Sequence, residues 1–183
     1  MRHLSSPAGL LATVAFAAAC RLSAQADAPS DLKQALETSL KQTSYHMTMV
    51  TPASGTIDAD VVNPGRMHML MKKQNMEVIV IDQTMYMKQH GTWRKYPGVD
   101  PMHTQRNPLQ SLAAAKGKFT VDDLGPKVIG GAALHAYRVT NIAKKSVATV
   151  FVDGSDRIAR IEAGADVIQM SKFGEAVTIV APM

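Results

Sequence analysis

The stretch GRMHMLMKK, Gly65 to Lys73, carries methionine at every second position: Met67, Met69 and Met71. A period of two is the signature of a strand, whose successive side chains point to opposite faces. Read that way, Met67, Met69 and Met71 share one face, and Arg66, His68 and Lys72 share the other. HMTM (His46–Met49) and TMYM (Thr84–Met87) repeat the spacing. Met47 and Met49 fall on a face with Tyr45, and Met85 and Met87 fall opposite Tyr86 and Lys88. The chain therefore lines consecutive strands with methionine on one side and mixed polar groups on the other.

Working outward, period two continues over residues 44–51, 56–63, 66–73, 77–82, 84–89 and 92–96. Turn residues punctuate it: Pro52-Ala53-Ser54-Gly55, Asn63-Pro64-Gly65, Gln74-Asn75, Asp82-Gln83 and His90-Gly91. Links this short predict antiparallel hairpins. Residues 133–142, 146–153, 157–164, 166–173 and 176–180 predict five more strands, for about eleven. Residues 119–129 read as irregular or strand. Before the first strand, Ser30 or Asp31 can cap a helix through about Gln42, with Leu32, Leu36 and Leu40 on one stripe beside Ala35. A second short helix is predicted over residues 108–116, with Pro108 in its first turn. The fold class is mainly β (α+β), a long antiparallel sheet with two helices to cover its apolar face.

The length of 183 residues fits one domain with a substantial core. Aromatics supply only 5% of the chain, and ten of the twelve methionines lie between Met47 and Met170, standing in for them as bulky apolar groups. At the N-terminus, Arg2 and His3 precede a short apolar run, Leu10 to Ala19, and a small-x-small site, Ala24-Gln25-Ala26. This predicts a signal peptide over residues 1–26, a mature domain over 27–183 and a periplasmic location. The alternative is a lipoprotein signal over 1–19, with Cys20 of Ala17-Ala18-Ala19-Cys20 lipidated. Under cleavage after Ala26 the mature chain has no cysteine, hence no thiol chemistry. Its 18 basic residues against 15 acidic leave a net charge of +3 instead of +5. No basic cluster exceeds Lys72-Lys73 or Lys144-Lys145, which argues against nucleic acid and leaves at most peripheral contact with anionic lipid.

Three purposes fit a methionine face. Methionine packs irregular cores, and it also re-packs around ligands of varied shape. Its thioether suits Cu(I), and His46, His68 and His103 lie beside methionines. Strand geometry, however, sends a strand histidine to the face opposite its neighbouring methionine. Enzyme motifs are absent: no G-x-S-x-G, P-loop, H-E-x-x-H or C-x-x-C. Asp58 and Asp60 share a strand face, as do His135 and Tyr137, and both read as solvated or structural pairs. Arg106, ahead of the second helix, reads as solvated or as a head-group contact.

The segments VVNPGRMHMLM (Val61–Met71), EVIVIDQTMYMKQHGTWRKYP (Glu77–Pro97), LGPKVIGGAALHAYRVT (Leu124–Thr140), VFVDGSDRIARIE (Val150–Glu162) and SKFGEAVTIVAP (Ser171–Pro182) resemble in their order the LolA-like lipoprotein-carrier superfamily. That group includes LolA, LolB, the RseB sensor domain and the mycobacterial LppX/LprG lipoproteins. The LolA strand–turn signature is represented only by IDQTMYMKQ (Ile81–Gln89), so the likeness is nearer to the LppX/LprG side. The resemblance implies an incomplete, strongly curved half-barrel around an apolar cavity, no shared catalytic residues, and no cofactor. It implies binding of an acyl chain or lipidated protein in the cell envelope. The expected ligand-binding set is Met47, Met49, Met67, Met69, Met71, Met85, Met87, Trp93, Leu109 and Leu112. Leu109, Leu112 and the alanines after it would form a movable lid. A partner-binding or envelope-stress sensory module with a self-filled core, and a periplasmic Cu(I) binder, are the alternatives.

Overall fold

Eleven antiparallel strands form one sheet in the computed structural model of the protein, which describes residues 27–98, 108–114 and 119–182. Helix α1 (Ala28–Leu40) comes first. It is followed by β1 (Ser44–Thr51), β2 (Gly55–Val62), β3 (Arg66–Met71), β4 (Met76–Ile81), β5 (Thr84–Gln89) and β6 (Thr92–Pro97). Helix α2 (Pro108–Ala114) separates this meander from β7 (Phe119–Ile129), β8 (Ala132–Asn141), β9 (Val147–Val152), β10 (Ile158–Ala163) and β11 (Asp166–Ser171). The strand order is β6-β5-β4-β3-β2-β1-β11-β10-β9-β8-β7, so the two meanders join where β1 pairs with β11, and β6 and β7 are left as edges.

Tight turns set this topology. At the β5–β6 turn His90 and Gly91 both have positive φ, 50° and 84°, the requirement of a type I′ hairpin. Gly130 and Gly131, at 57° and 85°, do the same between β7 and β8. Each turn fixes a register, and the registers stack like with like. One transverse row runs Met87–Val78–Met69–Ala59–Met47–Met170 across β5, β4, β3, β2, β1 and β11. A second runs Met76–Met71–Ile57–Met49–Ile168–Ile161–Val150–Tyr137 from β4 to β8. The methionine face is thus one continuous surface spanning both meanders.

A flat sheet of this size would be on the order of 50 Å wide at about 4.8 Å per strand, whereas a 13-residue helix covers only about 20 Å. Strand twist resolves the mismatch by curling the sheet into an open half-barrel with the apolar face inside. Consistent with that, one contiguous core cluster includes Met87 of β5 and Val121 of β7, near opposite ends of the strand order. Helix α1 lies over β7 and β10 and touches α2. Alone, a helix this short is marginal in water. Its stability comes from Leu32 and Ala35, both buried, and from half-buried Leu36 and Leu40, each buried leucine contributing roughly 1.5–3 kcal/mol.

Two expectations need correction, and the open reading of residues 119–129 is decided. Helix α1 begins at Ala28 with Asp27 at its N-cap, not at Ser30 or Asp31, because Pro29 fits the first turn, where its missing N–H has no intrahelical acceptor to lose. Residues 119–129 form a full strand, whose irregularity is a bulge between Asp123 and Gly125. Residues 176–180 do not form a strand. The segment leaves β11 beside β1, whose two neighbours are already β2 and β11, so it has no ladder to join there. It is tied instead by Ser44, whose hydroxyl donates to the Glu175 carbonyl and whose carbonyl accepts from the Gly174 N–H, and by the burial of Ile179. The total of eleven is unchanged because one strand replaces another. Residues 115 and 116, expected to extend α2, lie outside the described residues, as do Cys20, His103 and Arg106.

Candidate functional site

The stripe on α1 does more than cover the sheet. Leu32, Leu36 and Leu40 are spaced four apart, so they stand one above another along one face. Opposite them, Leu112 and Ala113 of α2 and Phe119, Val121 and Val139 of β7 and β8 close the other walls of an apolar groove of about 550 Å³. Val121 pairs directly with Val139, which puts both on the same face of the sheet. Pro29, Lys33 and Glu37 complete the rim. Its volume falls in the range of about 300–1,000 Å³ typical of small-ligand sites. On the rim Lys33 and Glu37 form an exposed ion pair at 3.8 Å, one turn apart on α1. The apolar walls bind by exclusion of water, and this pair lies at the edge, where it can meet a polar terminus.

The expected site residues divide into three groups. Leu112 lines the groove, and Leu109, 0% exposed, is buried beneath it in the core cluster as the anchor of α2. Met47, Met69 and Met71 are buried in that same cluster, and Met49, Met67, Met85 and Met87 are half-buried against it. The structure brings these seven methionines onto one face, where each is packed by its neighbours. Trp93 is the exception. It pairs with Lys88 on β5, so by strand alternation it stands on the face opposite Met85 and Met87. Strand β6 instead turns Arg94 and Tyr96 to the methionine side, and Trp93 is removed from the site on that ground.

The outer face explains the strand histidines. His46 Nδ1 lies 2.8 Å from Asp60 Oδ1, and His68 Nε2 lies 2.8 Å from Glu77 Oε1. The Lys88 ammonium donates to the second Glu77 oxygen at 3.4 Å, and Lys72 pairs with Asp58 at 3.0 Å. The Lys72 contact, aided by the Thr48 hydroxyl, holds the Asp58 carboxyl below its ordinary range. Burial opposes ionisation of Glu77, but His68 and Lys88 outweigh it and lower its pKa. The His46 and His68 imidazoles are engaged on the side away from the sulfurs, so neither joins the methionines in a mixed copper site. Among the described residues no group of three or more His, Cys, Asp or Glu side chains is placed to hold a metal.

On the far side of α1 lies a polar hollow of about 250 Å³ lined by Asp31, Gln34, His135, Tyr137, Val152, Asp153 and Asp156. His135 and Tyr137 share a face as expected, with ring centroids 4.8 Å apart. Asp123 accepts from the Gly125 N–H at 2.7 Å and contacts His135 Nε2 at 2.6 Å, and these contacts lower its pKa. Burial, reinforced by Asp31, Asp123 and Asp156, pushes the Tyr137 hydroxyl up to about 12. It remains a neutral donor toward Asp31, which makes it a structural group rather than a base.

The groove walls on β7 and β8 were not among the expected site residues. Their signal was the alternation Phe119–Val121, partly hidden by Asp122, Asp123, Gly125 and Pro126, which break the pattern just beyond it.

No family model matches the chain, and no curated protein matches it. Among solved structures, the lipoprotein LppX of Mycobacterium tuberculosis is similar at a TM-score of 0.63 and 21% identity, over 82% of this chain and 97% of that one. LprF from Mycobacterium bovis is similar at 0.62 and 18%, over 85% and 96%. A chain of the Pseudomonas aeruginosa MucA/MucB complex gives 0.53 and 12%, over 84% of this chain but only 59% of that one. The chain therefore has the open half-barrel fold of LppX and LprF, the fold implied by its resemblance to the LolA-like superfamily.

Proposed function

We propose that the protein is a non-enzymatic carrier of the cell envelope that binds an acyl chain of a lipid or lipidated protein between α1, α2 and β7–β8. The single observation that carries this reading is the groove itself. Seven apolar side chains, Leu32, Leu36, Leu40, Leu112, Phe119, Val121 and Val139, converge on a space of about 550 Å³. Removing apolar surface from water is worth about 25 cal/mol per Å², so an acyl chain gains by entering. Among the described residues the groove is not lined by methionine, contrary to the expected Met-lined cavity, but Leu32, Val121 and Val139 belong to the same core cluster as the methionine face. The unbranched methionine side chains can re-pack to admit a longer chain. The apolar run before Ala26 supports export.

A second reading rests on one observation: Met47, Met69, Met71 and Met170 are packed in the core. A self-filled core fits a partner-binding module, and the likeness to a chain of the MucA/MucB complex is in keeping with it.

Titration with palmitate, followed by native mass spectrometry, separates the two. The carrier reading expects a complex with one palmitate in the wild type and at least a tenfold loss of affinity in Val121→Trp, which fills the groove. No uptake of palmitate by a folded wild type would overturn it and favour the partner module.

A further inference from the structure

The outer face of β5 and β6 has a composition unlike the rest of the sheet. Cross-strand registers bring Lys88 opposite Trp93 and Tyr86 opposite Lys95, all on the side away from the methionines. The Lys88 ammonium sits 5.5 Å from the centre of the Trp93 ring, and the Lys95 ammonium 5.9 Å from that of Tyr86. The patch is thus two cation–π pairs side by side on an edge hairpin. Residues 66–97 hold six basic side chains against two acidic ones, Glu77 and Asp82, while the mature chain as a whole has an excess of three. Glu77 is the one acid facing the pairs, and it is already engaged by His68 and Lys88. Beside it, exposed Leu70 and the Lys72 and Lys88 side chains border a hollow of about 350 Å³.

We propose that this face docks the protein on an anionic phospholipid surface. Tryptophan and tyrosine prefer the head-group level, where an apolar ring and a polar tip are both accommodated. Lysine and arginine near an anionic bilayer are attracted within about a Debye length. The alternation of ring and ammonium presents both contacts together. The charge complementarity selects a membrane over a second copy of the chain, whose own patch would repel it. The face lies on β5–β6 and the groove between α1 and β7–β8, so docking does not depend on the groove's occupant.

Trp93 is the single tryptophan, so its emission reports the face directly. The full chain is titrated with phosphatidylcholine vesicles with and without phosphatidylglycerol. The expected result is a blue shift of Trp93 only with the anionic vesicles, reversed by added salt. The double variant Lys88→Glu/Lys95→Glu should partition at least about tenfold more weakly, while keeping its fold and its uptake of palmitate, with a lower unfolding midpoint because the new carboxylate at position 88 would face Glu77. If that variant fails to fold, Lys95→Gln replaces it, with a smaller loss expected. Unchanged Trp93 emission on anionic vesicles, or wild-type binding by the folded charge variant, would overturn the proposal. So would a concentration-dependent shift without vesicles, which would assign the face to a second copy. Loss of palmitate uptake with vesicle docking intact would count against the groove alone.

Discussion

Ser39 and Ile158 are joined across the helix–sheet boundary. The Ser39 hydroxyl donates to the Ala35 carbonyl at 2.7 Å and accepts from the Ile158 N–H at 2.8 Å, and both residues are fully buried. A backbone N–H buried without a partner costs about 1–3 kcal/mol. Ile158 sits where the β9–β10 register shifts, so its amide depends on the helix for an acceptor. Ser39→Ala is expected to destabilise the protein by about 1–3 kcal/mol. Urea unfolding should show a lower midpoint with an unchanged slope. No measurable loss would mean that water or a shifted helix replaces the hydroxyl.

Met69 tests whether the methionine face is core or cavity wall. It is 5% exposed and lies in register with Ala59 and Val78. As a core residue, Met69→Ala should cost about 2–5 kcal/mol, and Met69→Leu, close in volume, less than about 1.5 kcal/mol. Denaturant unfolding gives both values. A near-neutral alanine variant that takes up palmitate more tightly would identify the position as wall rather than core.

Much of this fold was legible because strand alternation and short turns are local signals. Met67, Met69 and Met71 announce their face without reference to anything distant, and His90-Gly91 announces its hairpin. What was not legible depends on competition between distant segments. Residues 176–180 have strand character, but β1 has no open side, and only the topology reveals that. Trp93 was misplaced for a subtler reason. An edge strand gives no sequence indication of which face is inner until its register with Met85 and Met87 is known. The groove required three elements, α1, α2 and β7–β8, to be assembled. Its leucine stripe was visible as a cover and its function as a wall was not.

Tyr137 supplies a pH signature. Its folded pKa is raised to about 12 from an ordinary value of 10.0, chiefly by burial and then by Asp31. A raised folded pKa means that the stabilisation is fully present below the unfolded value and is lost as pH climbs through the folded one. Stability should therefore fall between about pH 10 and 12 by on the order of 2–3 kcal/mol from this group. Tyr137→Phe should flatten that part of the alkaline limb. Difference absorbance of tyrosinate between wild type and variant should show the missing group ionising near the upper end of the window. Ionisation at its ordinary value in the folded protein would rule out the buried contact with Asp31.

Helix α2 should be the part of the groove that opens. It has seven residues, and Leu109 is its fully buried anchor among the side chains described. Releasing one leucine from a core costs roughly 1.5–3 kcal/mol, well below the global stability of an ordinary domain. Local opening of α2 should thus outpace global unfolding, and its amides should exchange faster than those of β1 and β2, which are paired on both sides. Palmitate seated against Leu112 should slow that exchange, and Leu109→Ala should accelerate it without changing β1 or β2. Hydrogen exchange read by mass spectrometry resolves these segments. Protection of α2 equal to that of the central strands, with no response to palmitate, would make the helix a fixed wall and leave entry to the gap beside Leu36 and Leu40.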